Sequence, residues 1–375
     1  YATPWRPGGN RVGGEFITFW YNDGEDPSFQ IGNISVRFDF KFPTTTVKAL
    51  RADKLYEQLV NKITEGQGIG IADYLKPTGS GTQSDPYRTL LIISGDGVRQ
   101  IPDAVIKTSF KDYFKSINVP RNVGVGMLEN KLIIDNKKSF FSSDIIYDLG
   151  EIKDLKISIA EEFVFSSMKI GWPNNDYDDI NGRNEYNGTF EWNFPIQRIV
   201  KELDLVSVYR ADCYGIEYTR INLAGKTTTD SDSDNDVFII DAFGVKNEEG
   251  VIIWKPYRQL FLQTHGLLSP ESVYNINLSP KRCIMAHSDF LRSFLFKLDD
   301  KEITCQTATK NKELGTEDLT HRTVIEKANV PVDSLFGPYF QPFYLEFSCR
   351  VPLNLQDIVE MSRAGRFQVR FNGNV

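Results

Sequence analysis

The chain has 375 residues, of which 41% are hydrophobic and 13% aromatic, enough to bury a large core divided between two or three domains. Its formal net charge of -7 and the scatter of its Lys and Arg residues argue against a general nucleic-acid binder, whose phosphate contacts need a basic stripe. The sequence contains no run of about 18 apolar residues, so no helical membrane span is expected, nor is a charged-then-apolar leader. The opening Tyr1 and the closing RFQVRFNGNV, where a strand enters a turn, fit a natural chain trimmed at its start and running past its end.

Residues 31–42 hold the clearest alternation: Ile34, Val36, Phe38, Phe40 and Phe42 interleave with Ser35, Arg37, Asp39 and Lys41, which predicts a half-buried strand stopped by Pro43. Leu55, Leu59 and Ile63 then mark one face of a helix ending near Gly66. PTGSGTQSDPYR and ISGDGVRQ carry paired glycines but lack the lysine and following helix of a phosphate loop, and read as turns.

Phe110, Tyr113, Phe114 and Ile117 fall at i, i+3, i+4 and i+7, predicting a helix capped by Ser109 with Asp112 three residues on. GVGMLENKLIID follows as a hairpin turning at Glu129-Asn130. In IIYDLGEIKDLKISIAEEFVFSSMKIGW, Leu155, Ile157 and Ile159 alternate with Lys156, Ser158 and Ala160 as a half-buried strand. Glu161-Glu162 is expected at a solvated rim.

This order of helix, short hairpin, KLII strand, DLG and two further strands resembles the hub proteins of bacteriophage tails and related injection machines, over about a third of the chain. The resemblance implies an α+β, β-rich fold with two β-barrel-like domains of the tail-tube kind and mixed α/β insertions. It further implies a ring of subunits, a homotrimer, whose duplicated barrels present pseudo-sixfold symmetry to the tail tube and which contacts the distal tail or spike proteins. Its place would be the virion tail, assembled in the bacterial host cytoplasm. The echo between ISVRFDFKFP and FYLEFSCRVP fits such a duplication, although alternation ending at proline is also how many edge strands stop. The expected segments are 1–50, the first part of an N-terminal β domain; 51–150, an inserted α/β domain; 151–265, a β-rich region completing the barrel; and 266–375, a helix followed by a C-terminal β domain. No fused hydrolase module is legible.

Phe190, Trp192 and Phe194 open a strand-rich region that YGIEYTRINL, VFIIDAFGV and VIIWKPY continue. Within it, Asp230, Asp232, Asp234, Asp236 and Asp241 occupy positions 1, 3, 5, 7 and 12 of a calcium loop. Against a Ca2+ site stand Asn235 where the turn prefers glycine and strands in place of the flanking helices; a solvated acidic hairpin tip is the plainer reading. The segment WPNNDYDDINGRNEYNGTFEW permits a second site, in which Trp172, Tyr177 and Tyr186 stack on sugar rings while Asp176, Asp178 and Asp179 accept hydroxyl hydrogen bonds. The alternative is a long inter-strand loop rich in turn formers. An extracellular glycan-binding protein is therefore the second functional class, and a glycoside hydrolase using carboxylates such as Asp176 and Asp179, held about 5 to 10 Å apart, the third.

Ser279-Pro280 opens the longest helix candidate, with Ile284, His287, Leu291, Phe294 and Leu295 on one face up to Leu298. His265, His287 and His321 lie in no HExxH or GxSxG setting, and His287 reads as a hydrogen-bonded core histidine. Cys213, Cys283, Cys305 and Cys349 show no CxxC spacing, so reduced core thiols are expected and no cofactor is called for. FYLEFSCRV, a short helix from Leu355 to Ala364 closed by Gly365, and FQVRF end the chain. No residue set stands out as catalytic; the reading is a structural, non-enzymatic virion protein.

Overall fold

A computed structural model describes residues 45–128, 131–140, 145–159, 165–173, 187–193, 201–221, 236–259 and 273–288, with strand segments 302–307, 330–331, 345–350 and 366–370. In chain order these form β1 (Leu50–Arg51), α1 (Ala52–Ile63), β2 (Ile69–Ile71), β3 (Tyr87–Ser94), α2 (Gly95–Val98), α3 (Phe110–Arg121), β4 (Val123–Leu128), β5 (Lys131–Asn136), β6 (Ile145–Glu151), β7 (Lys153–Ile159), β8 (Ser167–Gly171), β9 (Thr189–Asn193) and β10 (Glu202–Val206). They continue with α4 (Cys213–Ile221), β11 (Val237–Lys246), β12 (Ile252–Pro256), β13 (Arg258–Gln259), β14 (Val273–Tyr274), α5 (Pro280–Ala286), β15 (Glu302–Thr307), β16 (Val330–Pro331), β17 (Leu345–Arg350) and β18 (Arg366–Arg370). The class is mixed α/β with sheets dominant. Every described residue belongs to one unit, Thr44–Val375.

The central strands are β3 and β11, antiparallel neighbours in a four-stranded sheet of order β1-β3-β11-β12. Both are near-continuous apolar runs, YRTLLIIS and VFIIDAFGVK, as expected of strands covered on two faces. Leu90, Ile92, Val237 and Ile239 face a large core shared with Tyr56 of α1, Tyr113 and Ile117 of α3, and Trp172 and Trp192. Leu91, Ile93, Phe238 and Ile240 face a second core with Val98, Cys213, Ile216 and Tyr274. Registry keeps the two sets apart, since Ile92 pairs with Ile239 and Ile93 with Phe238.

A five-stranded sheet has the order β10-β8-β9-β15-β16, with β10 and β8 parallel. A three-stranded sheet, β2-β5-β4, contains the expected hairpin, although its turn residues Glu129 and Asn130 lie outside the described residues. Two further pairs return late strands to the middle of the chain, β17 antiparallel on β7 and β18 parallel on β6. The expected segments are thus interleaved: β11 pairs across the 51–150 and 151–265 boundary, and β15, β17 and β18 across the next. Among the described residues no sheet closes into a barrel; all are open, with edge strands.

The Ser109 helix forms as its periodicity predicts, with Ser109 Oγ accepting from the Asp112 amide at 3.1 Å and donating to Asp112 Oδ2 at 2.7 Å. It runs on to Arg121 through Pro120 and ends at Asn122, whose left-handed φ of 47° closes it. Tyr113 Oη donates to the Ala52 carbonyl at 2.8 Å, and Ser116 Oγ accepts from the Val208 and Tyr209 amides, so α3 pins α1 on one side and the chain after β10 on the other.

Two expectations are corrected. YGIEYTRINL is a helix over its described part, not a strand: Cys213, Ile216, Glu217 and Thr219 are buried at helical spacing, and Glu217 pairs with Arg220 one turn on. ISGDGVRQ turns as expected, forming the single helical turn α2, with Ser94 Oγ accepting from the Gly97 amide. The strand 153–159 exists, but Ile157, expected on its covered face, is 57% exposed. Helix α5 starts at Pro280 as expected but ends at Ala286 with His287 as its C-cap, so the expected run through His287 is interrupted there; Leu291, Phe294 and Leu295 lie outside the described residues, as do the 31–42 strand and the 355–364 helix. No helix among the described residues is long and apolar enough to cross a membrane.

Candidate functional site

Trp172 follows the last residue of β8, Gly171, whose φ of 129° and closeness to the Gly188 carbonyl leave no room for a Cβ. That approach lets the Trp172 amide donate to the Gly188 carbonyl at 3.1 Å and turns the indole inward. The ring is fully buried, and its Nε1 donates to the Leu278 carbonyl at 2.6 Å. Trp172 is therefore a core residue, not a stacking platform for a sugar. Asp176, Tyr177, Asp178, Asp179 and Tyr186 lie outside the described residues.

Two of the five aspartates of the expected calcium loop are engaged elsewhere. Asp236 Oδ2 accepts from Arg210 Nη1 at 2.6 Å, and the same buried guanidinium holds Asp212 by two hydrogen bonds of 3.0 and 2.5 Å. Asp241 is buried within β11, where its Oδ2 accepts from Asn277 Nδ2 at 2.6 Å. Positions 7 and 12 of the loop are thus occupied by structural bonds, and Asp230, Asp232 and Asp234 lie outside the described residues. Among the described residues no three His, Cys, Asp or Glu side chains gather as a metal site.

Cys213 and Cys283 are buried thiols outside any disulfide. His287 is buried as expected, its Nε2 lying 3.0 Å from the Asn118 carbonyl and 3.1 Å from that of Val119. Both partners are acceptors, so the neutral ring donates from Nε2. Burial lowers the imidazole from 6.5 to about 4, against the opposing pull of those carbonyls.

The described residues also form a recess that sequence reasoning missed. It lies under β3 and has a volume of about 40 Å³, with Lys76, Arg88 and Arg121 in its wall beside Ala52, Tyr74 and Leu75. The Thr78–Arg88 bridge brings the turn after Leu75 against β3, and the end of α3 supplies Arg121. Strand alternation puts Arg88 in phase with Leu90 and Ile92, on the face that also carries Asp241 opposite Leu90. Thr89, one residue on, is in phase with Leu91 and Ile93 and also lines the recess. Arg88 stacks its guanidinium 3.4 Å over the Tyr257 ring, and its Nη1 is buried without a hydrogen-bond partner.

Asp241 is a buried acid within electrostatic reach of Arg88 and Arg121. Burial raises its carboxyl above the ordinary value, while the Asn277 hydrogen bond and the charges of Arg88, Arg121 and Arg282 pull it back. Arg282 Nη1 donates to Asn277 Oδ1 at 2.6 Å, completing a chain from Arg282 through Asn277 to Asp241. The sequence signal for the recess was a cation, Arg88, in the buried phase of YRTLLIIS; the separation of Lys76, Arg88 and Arg121 hid the rest.

Comparison with family models, curated proteins and solved structures found no match. The fold therefore defines a class, a sheet-dominated mixed α/β protein with open sheet edges.

Proposed function

We propose that this chain is a structural subunit of a bacteriophage tail, a hub or baseplate component that forms a closed homotrimer joining the tail tube to distal tail or spike proteins. The pattern of helix, hairpin and strands from Ser109 to Trp172 supports the reading. The observation that carries it is the edge of the four-stranded sheet, open among the described residues, where β12 presents Ile253 at 50% exposure, two positions after Val251 at 56%. Unpaired edge backbone flanked by exposed apolar side chains is the surface that a second copy covers by ladder pairing and apolar burial. Exposed Ile157 on β7 and Met127 on β4 extend the same pattern to two other strands. The two barrel-like domains of the tail-tube kind belong to this reading. Assembly in the bacterial cytoplasm accords with the reduced, buried Cys213 and Cys283.

The test is the mass of the purified chain in solution together with Ile253→Lys. Trimers that Ile253→Lys dissociates support the proposal, whereas trimers indifferent to it would move the interface away from β12. A chain that is monomeric at every concentration would remove the proposal altogether.

A further inference from the structure

We propose that the recess under β3 binds one tetrahedral oxyanion of the phosphate class between the guanidinium groups of Arg88 and Arg121. The recess wall holds Lys76, Arg88 and Arg121 and no Asp or Glu. The carboxylates nearby are engaged, Asp73 with Lys76 at 2.6 Å and Asp241 with Asn277. Arg88 is oriented by its stack on Tyr257 yet keeps a buried Nη1 with no partner, which is costly unless an acceptor reaches it. Arg121 stands in the last turn of α3 and lines the recess.

Two arginines in one cavity wall offer planar forks that match the several acceptor oxygens of a phosphate better than a single point charge would. A volume of about 40 Å³ has room for roughly three water-sized groups, the scale of one oxyanion head and too little for a nucleoside or sugar. The protein's formal charge of -7 makes this local cation cluster a departure from its general surface, so the site selects a small anion where a polyanion would be repelled.

The experiment is calorimetric titration of the full chain with inorganic phosphate, glycerol phosphate and acetate at constant ionic strength, repeated on Arg121→Gln and Arg88→Lys, with circular dichroism confirming that each variant is folded. The expected result is saturable one-site phosphate binding, weakened about tenfold or more in Arg121→Gln and weakened in Arg88→Lys, where charge is kept but the fork is lost. Glycerol phosphate binding as tightly as inorganic phosphate would assign the site to phosphate monoesters, and weaker binding would assign it to the free ion. Absence of saturable phosphate binding, equal affinity for acetate, or undiminished affinity in folded Arg121→Gln would overturn the proposal. None of these outcomes depends on the chain forming a trimer.

Discussion

Trp172 and Leu278 are joined across 106 residues by a hydrogen bond of 2.6 Å from indole Nε1 to the main-chain carbonyl. This bond ties the end of β8 to the turn that leads into α5. Trp172→Phe keeps most of the apolar volume but leaves that carbonyl without the indole donor, and is expected to cost about 1–3 kcal/mol. Trp172→Ala adds a cavity and is expected to cost about 3–5 kcal/mol. Denaturant unfolding measures both; a loss below about 0.5 kcal/mol for Trp172→Ala would contradict the core role.

His287 sets a pH dependence of definite sign. Its folded value of about 4 lies below the ordinary 6.5, so the unfolded chain binds the extra proton across that interval. Its contribution is fully present above about pH 6.5 and is lost as pH falls towards 4, by roughly 3 kcal/mol at most. His287→Gln can still donate to the Asn118 and Val119 carbonyls but does not titrate. Stability followed over that interval should therefore fall less steeply in His287→Gln than in the parent; identical slopes would contradict the assignment.

Asp241 acts in the opposite direction. Its folded carboxyl is raised by burial, so the folded state holds the proton more tightly and the cost of ionising it is felt as pH rises through the folded value. Asp241→Asn keeps an acceptor for Asn277, and at neutral pH it is expected to be neutral or stabilising by up to about 1 kcal/mol. A calcium ligand at this position would behave otherwise, since its loss would remove any Ca2+-dependent rise in melting temperature. Thermal melts with and without Ca2+ separate the two roles.

Arg210, buried between Asp212 and Asp236, is the ion-pair centre of the region before α4. Arg210→Met leaves Asp212 buried and uncompensated and is expected to cost about 3–5 kcal/mol, whereas Arg210→Met with Asp212→Leu should recover much of that loss. Equilibrium unfolding of the single and double variants gives the coupling; strict additivity would contradict it.

Local signals were the legible ones. The Ser109 cap, the α3 stripe, the β4–β5 hairpin and the proline-started α5 each depend on residues a few positions apart, and all formed. The helix Cys213–Ile221 was misread because Tyr214, Ile216 and Tyr218 alternate, while the pairs at three residues' spacing, Cys213 with Ile216 and Glu217 with Arg220, follow the helix. Trp172 looked like a binding aromatic because its neighbours in sequence are Asn and Asp; its actual partner lies in a distant turn. The recess was hidden for the same reason, Lys76, Arg88 and Arg121 being united by the sheet and the end of α3.

Light-scattering mass across a dilution series tests the central claim most directly. The account predicts a species of three times the 42.8 kDa subunit, reduced to single subunits by Ile253→Lys. A parent chain that stays at 42.8 kDa throughout the series would contradict it.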